Sequence, residues 1–150
     1  MNRTDLDGLA LPRLPCACAS LRRAGRAVTQ LYESELRSLD LNTAQLTLLQ
    51  ALARAEPITQ GSLGRLLALD STTLSRTLRP LEKKGWIRSE PGKDRRERRL
   101  RLTKAGRTQL ERADPAWERA QGRLKARLGA ERWESLLADL SMLAGVAREA

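Results

Sequence analysis

Residues 70–106 read DSTTLSRTLRPLEKKGWIRSEPGKDRRERRLRLTKAG, and two changes of period within them decide the fold. Leu74, Leu78 and Leu81 recur at helical spacing behind Asp70, whose carboxylate suits an N-cap. Ser71, Thr72, Thr73, Ser75, Arg76 and Arg79 fall on the remaining sides and point outward. Lys83, Lys84 and Gly85 end the helix, because cations favour its C-terminus and glycine permits a left-handed exit. After Gly85 the period becomes alternating through Trp86, Ile87, Arg88, Ser89 and Glu90, and again from Arg98 to Leu102. This predicts a β-hairpin whose tip carries Pro91, Gly92, Lys93, Asp94, Arg95 and Arg96. Thr103 then stands where a cap for a further helix belongs.

Upstream, a short helix opens at Thr59 with Leu63, Leu66 and Leu67 facing inward, and a tight turn leads to Asp70. The two helices form a helix-turn-helix pattern. Pro57 separates them from a helix started by Asn42 with Gln45 three residues on, a capping-box pair. Leu46, Leu48, Leu49 and Leu52 make that helix apolar on most sides, so it belongs in the core. Leu21, Ala24, Val28, Leu31, Leu36 and Leu39 predict an earlier amphipathic helix that is entered at Cys16-Ala17-Cys18 and ends near Asp40; the first about 15 residues, with Gly8, Pro12 and Pro15, read as an extended arm.

Downstream, Gly106, Leu110, Ala113, Trp117, Ala120, Leu124 and Leu128 form one stripe of a long helix that Pro115 is expected to bend. Beyond Gly129, a last stripe comprises Trp133, Leu136, Leu137, Leu140, Leu143, Ala144 and Ala147. The fold class expected is mainly α with a small β-hairpin wing, in a single domain over 1–150. A winged helix-turn-helix lobe spans 41–102. The helices of 1–40 and 103–150 carry more apolar surface than that lobe can cover, which points to burial against a second copy in a homodimer.

Composition removes most other classes. With no His among 150 residues, imidazole bases and His-containing zinc sites are gone, so the chain reads as no enzyme and needs no cofactor. Two Cys cannot build a four-thiolate zinc site or a disulfide framework. No apolar run approaches membrane-spanning length, and the N-terminus lacks a secretory pattern, which gives no membrane partner and a cytoplasmic location. The net charge of +10 is concentrated: residues 76–107 hold 13 Lys or Arg against 4 Asp or Glu, leaving 15 against 14 elsewhere. Charge of one sign gathered around a helix and a hairpin suits a polyanion.

The segment Leu81-Glu82-Lys83-Lys84-Gly85-Trp86-Ile87 resembles the LEKKGLI signature of the MarR family of bacterial transcriptional regulators. Asp94-Arg95-Arg96, followed by Leu100, Leu102, Thr103 and Gly106, resembles the family's wing signature, DRR followed by LxLTxxG. The resemblance implies a homodimeric winged helix-turn-helix protein on a pseudo-palindromic double-stranded DNA operator, commonly a repressor answering a small ligand or an oxidant. It further implies that Arg96 enters the minor groove with Asp94 holding it. Pro80 departs from the family pattern and removes a donor inside the recognition helix.

The residues support the same assignment on chemical grounds. Hydroxyl and guanidinium groups at Ser71, Thr72, Thr73, Ser75, Arg76 and Arg79 can bond base edges and phosphates, with Arg76 suited to guanine. Lys93, Arg95, Arg98 and Arg99 would serve as further phosphate contacts on the wing. The resemblance further implies an effector site for aromatic anions in the segments that hold Arg22, Arg26, Tyr32 and Trp117, although Tyr32 and Trp117 also read as ordinary core or interface aromatics. Cys16 and Cys18 read either as arm packing or as a thiol switch taking an oxidant or a thiophilic metal. Two competing classes are a nonspecific nucleic-acid architectural protein and a small redox enzyme built on the Cys pair.

Overall fold

The structure is a computed structural model that describes residues 10–92, 94 and 97–149. Its elements are α1 (Ala17–Leu36), α2 (Thr43–Ala55), β1 (Ile58–Thr59), α3 (Gln60–Leu67), α4 (Ser71–Lys83), β2 (Ile87–Pro91), β3 (Arg98–Leu102), α5 (Lys104–Leu128) and α6 (Ala130–Glu149). Contacts divide the chain into two compact units, Leu36–Pro115 and the two chain ends, Met1–Glu35 with Ala116–Ala150.

In the unit Leu36–Pro115 each helix begins on the cap its sequence offers. Asn42 Oδ1 accepts the Gln45 amide at 2.8 Å while Gln45 Oε1 accepts the Asn42 amide at 3.2 Å, a complete capping box on α2. Thr59 Oγ1 accepts the Ser62 amide at 3.1 Å, and α3 ends at Ala68 in the left-handed region. Asp70 Oδ1 accepts the Thr73 amide at 2.9 Å and opens α4. The core gathers Leu46, Leu48, Leu49 and Leu52 of α2, Leu63 of α3, Leu74, Leu78 and Leu81 of α4, and Ile87, Leu100 and Leu102 of the hairpin, all essentially inaccessible. Each leucine so buried contributes about 1.5–3 kcal/mol relative to exposure.

The sheet has the order β1-β3-β2, antiparallel throughout. β1 pairs Ile58 with Leu100 and Thr59 with Arg99; two residues are too short for an alternation to register in sequence. Just before β1 begins, Glu56 continues the contact with β3: its Oε2 accepts the Leu102 amide at 2.7 Å and its Oε1 pairs with Arg107 of α5. Gly85, at φ +69, makes the turn out of α4. A Cβ on Gly106 would lie 2.0 Å from the Trp86 carbonyl oxygen, so only glycine lets α5 cross the hairpin base. Thr103 completes that junction, accepting the Gly106 amide at 3.0 Å and donating to the Gly85 carbonyl at 2.6 Å.

Two boundaries differ from the sequence expectation. α1 starts at Ala17, where Cys16 and Cys18 mark its entry, and stops at Leu36 rather than near Asp40. The chain turns through 37–40, with Asp40 at φ 50. Gln109, buried on α5, donates to the Leu39 carbonyl at 2.7 Å, which ties this turn to α5 and extends the compact unit to Leu36 and Pro115, beyond 41–102. α5 stays helical through Pro115.

In the chain-end unit, Glu35 of α1 accepts Arg119 Nε at 2.8 Å and an Arg123 terminal nitrogen at 3.1 Å from α5. Of the predicted stripe, Ala120 is buried and Trp117, Leu124 and Leu128 half-buried; Ala116, outside that stripe, is buried as well. Trp133 is the one residue of α6 in the core class among those described. Leu136, Leu137, Leu140 and Leu143 remain 40–44% exposed, Met142 and Val146 at least 60%.

Candidate nucleic-acid interface

Because Leu74, Leu78 and Leu81 face the core, α4 presents its hydroxyl and guanidinium residues to the outside: Ser71, Thr72, Thr73, Ser75, Arg76 and Arg79 are all exposed. They differ in how far the protein has already engaged them. Thr73 Oγ1 donates to Asp70 Oδ2 at 2.6 Å and is committed to the cap. That bond, followed by the Thr73 amide, holds the Asp70 carboxyl below its usual pKa. Ser75 Oγ accepts Gln60 Nε2 at 2.9 Å, so its own proton is what it can still offer. Among the described residues, the side chains of Ser71, Thr72, Arg76 and Arg79 have no such partner. Pro80 sits inside α4 and supplies no amide to the Arg76 carbonyl one turn back.

The C-terminal end of α4 is held firmly. Lys84 Nζ pairs with Asp40 Oδ2 at 3.0 Å, donates to the Asp40 carbonyl at 2.6 Å and stands 4.5 Å from the Trp86 ring centroid. Lys84 therefore fixes the helix end that its charge marks in the sequence, through partners, Asp40 and Trp86, that the sequence did not name.

The hairpin tip is closed by the Gly92 amide donating to the Glu97 carbonyl at 2.8 Å and the Glu97 amide donating to the Asp94 carbonyl at 2.9 Å. Asp94 is exposed; Lys93, Arg95 and Arg96, and with them the expected Asp94–Arg96 pair, lie outside the described residues. Arg98 Nε donates to Ser89 Oγ at 2.7 Å, and its guanidinium stands 3.9 Å from Glu82. Arg99 is half-buried, with its Nε buried and unpartnered among the described residues. Sequence reasoning passed over Glu90, which pairs with Arg88 and Arg101; only the strand register brings the three together.

The remaining candidates lie in the chain-end unit. Cys16 and Cys18 are exposed free thiols at the start of α1. Among the described residues no group of three or more His, Cys, Asp or Glu could hold a metal ion. Arg22 and Arg26 are exposed, Tyr32 and Trp117 half-buried. Burial raises the Tyr32 hydroxyl above its ordinary pKa. A cavity of about 350 Å³ in this unit is lined by Leu31, Arg123, Leu124, Ala126 and Arg127, and by none of the four predicted effector residues.

No helix among the described residues is long and apolar enough to cross a membrane.

Comparison with known proteins gives consistent relatives. The chain is similar to the HTH-type transcriptional regulator YwoH of Bacillus subtilis, 29% identical over 84 residues that make up 56% of this chain and 61% of YwoH. It is also similar to the HTH-type transcriptional regulator SarZ of Staphylococcus haemolyticus, 34% identical over 59% of this chain and 61% of SarZ. The match thus spans about three fifths of the length of these curated relatives. Among solved structures, the transcriptional regulator MosR of M. tuberculosis, crystallised in complex with DNA, superposes with a TM-score of 0.82 at 31% identity, covering 89% of this chain and 97% of MosR. The profile that matches residues 41–97 is that of the MarR family, and with MosR aligned over nearly its whole length, the chain belongs to the MarR family as a winged-helix protein.

Proposed function

We propose that this protein is a homodimeric, sequence-specific DNA-binding transcriptional regulator acting as a repressor. The observation that carries this reading is the outward face of α4, where Ser71, Thr72, Arg76 and Arg79 are exposed and unengaged among the described residues, beside a hairpin rich in arginine. An α-helix fits the major groove, where a guanidinium can bond guanine in two places and hydroxyls can reach bases or phosphates. The family membership and the DNA complex described for MosR support the same assignment.

The homodimer rests on the apolar faces of α1 and α6. Leu21 and Val28 at 39% exposure, with Leu136, Leu140 and Leu143 at 40%, form stripes suited to a twofold mate. In such a dimer two α4 helices occupy successive major grooves about one turn apart, blocking polymerase. A small ligand, or oxidation of the exposed Cys16 and Cys18, would release the operator by altering their spacing. Arg96 entering the minor groove would add shape readout.

Selecting bound sequences from a random DNA pool tests specificity and half-site spacing together. The expected result is a pseudo-palindrome, with Arg76→Ala losing about 1–3 kcal/mol of discrimination at one position per half-site. Equal affinity for all sequences would overturn the reading in favour of a nonspecific architectural protein.

A further inference from the structure

One face of the hairpin carries a charge cluster centred on Glu90, a residue to which the reading above gives no part. In the register of β2 and β3, Arg88 lies opposite Arg101 and Glu90 opposite Arg99, and alternation puts these four side chains on one face. Ile87, Leu100 and Leu102 occupy the other face and are buried. Three arginines and a single carboxylate therefore share this face, and two of the arginines pair with the carboxylate. Glu90 Oε1 meets Arg88 Nε at 3.0 Å and Glu90 Oε2 meets Arg101 Nε at 3.3 Å, so each oxygen holds one arginine against the sheet. Arg99, directly across from Glu90, is the third cation of this face.

We propose that Glu90 is a specificity-determining residue: by holding Arg88 and Arg101 it limits how strongly the wing binds the phosphates of arbitrary DNA. The inference rests on the DNA-binding function proposed above. Each cation that neutralises a phosphate releases counterions whatever the sequence, so every added contact strengthens binding to all duplexes alike. A regulator must find its site among a vast excess of other sequences, and what serves it is the ratio of specific to nonspecific affinity. Exposed ion pairs add little to folding stability, so the main consequence of this carboxylate lies in the field that the wing presents to a polyanion. Residues 76–107 hold only 4 acids against 13 bases, and Glu90 is positioned to restrain two of those bases at once.

The test compares wild-type protein with Glu90→Gln, which keeps the side-chain shape and removes the charge. Affinities are measured across a salt series for a random-sequence 30-base-pair duplex and for the duplex selected from a random pool. Glu90→Gln is expected to bind the random duplex roughly three- to tenfold more tightly at low salt, with the slope of log K against log salt steeper by about 0.9, one further phosphate. The gain on the selected duplex is expected to be smaller, so discrimination falls. In the triple variant Arg88→Gln, Glu90→Gln, Arg101→Gln the gain should vanish. A Glu90→Gln protein with the wild-type slope, or one that gains equally on both duplexes, would overturn the proposal while leaving DNA binding intact. Wild-type protein with no salt-dependent duplex affinity would overturn both.

Discussion

The unit Leu36–Pro115 and the chain-end unit are both built from helices that carry leucine-rich faces, yet they treat those faces in opposite ways. In the first, Leu49, Leu52, Leu63 and Leu81 are fully buried against one another and the sheet. In the second, α6 leaves Leu136, Leu137, Leu140 and Leu143 at least 40% exposed, and among its described residues only Trp133 reaches the core class. The first unit closes a core within one chain; the second leaves a row of leucines on α6 partly open within one chain. The difference teaches that helix patterning reports how much surface must be covered, while the number of chains covering it is a separate matter.

The sharpest way to separate the two is to truncate one leucine in each. Leu81→Ala is expected to cost about 2–5 kcal/mol of stability in urea unfolding, since no neighbour can fill the space of a fully buried side chain. Leu140→Ala should cost much less in dilute, monomeric protein and more as concentration rises and the proposed second copy covers the stripe; a loss equal to that of Leu81→Ala at every concentration would mean that Leu140 is covered within one chain.

That stripe offers the next test. Leu136→Glu with Leu140→Glu places charge on the face proposed to meet a second copy and should shift the protein to monomer in sedimentation equilibrium. Helix content should stay near wild type, because both positions are exposed within one chain. A variant that remained dimeric would remove α6 from the proposed interface.

The smallest effects concern acid. Glu35 in the chain-end unit is held below the ordinary carboxyl range first by its hydrogen bond from Arg119, then by that from Arg123. Asp70 in the other unit is lowered by Thr73. A carboxylate with a depressed folded pKa adds stability that is complete above its unfolded pKa and is lost as pH falls through the folded value. Both contributions should therefore fade on acidification below the usual range, from about pH 4.5 for Glu35 and 3.8 for Asp70. Glu35→Gln and Asp70→Asn should each flatten that acid limb in pH-dependent melting; an unchanged limb would show that the group is not engaged in solution. Asn at position 70 retains a capping side chain, so its effect at neutral pH should be slight.

Much of the first unit was legible along the chain because its signals are local. Asp70, Asn42, Thr59 and Thr103 cap the helices their spacing announced, and Gly85 makes the turn expected of it. β1 escaped notice because two residues carry no period, and the true end of α1 because Leu39 keeps the apolar spacing although the chain already turns through 37–40. At the interface, the exposure of Thr72 and Arg76 followed from the leucine stripe on the opposite side. The capture of Thr73 by Asp70, of Ser75 by Gln60 and of Arg98 by Ser89 did not, since which donors a neighbour consumes depends on side-chain positions.

Sequence by itself determined the element order, the apolar faces and the concentration of positive charge between residues 76 and 107, because periodicity, capping and charge are properties of neighbouring residues. Tertiary structure alone decided that Glu56 completes the edge of β3, that Lys84 anchors α4 to Asp40, and that Glu90 restrains two arginines. The first two bonds join residues 46 and 44 positions apart. In the third, Glu90 meets Arg101 only through the pairing of β2 with β3. Such partners are chosen by the packing of helices and the register of strands, which no local pattern encodes.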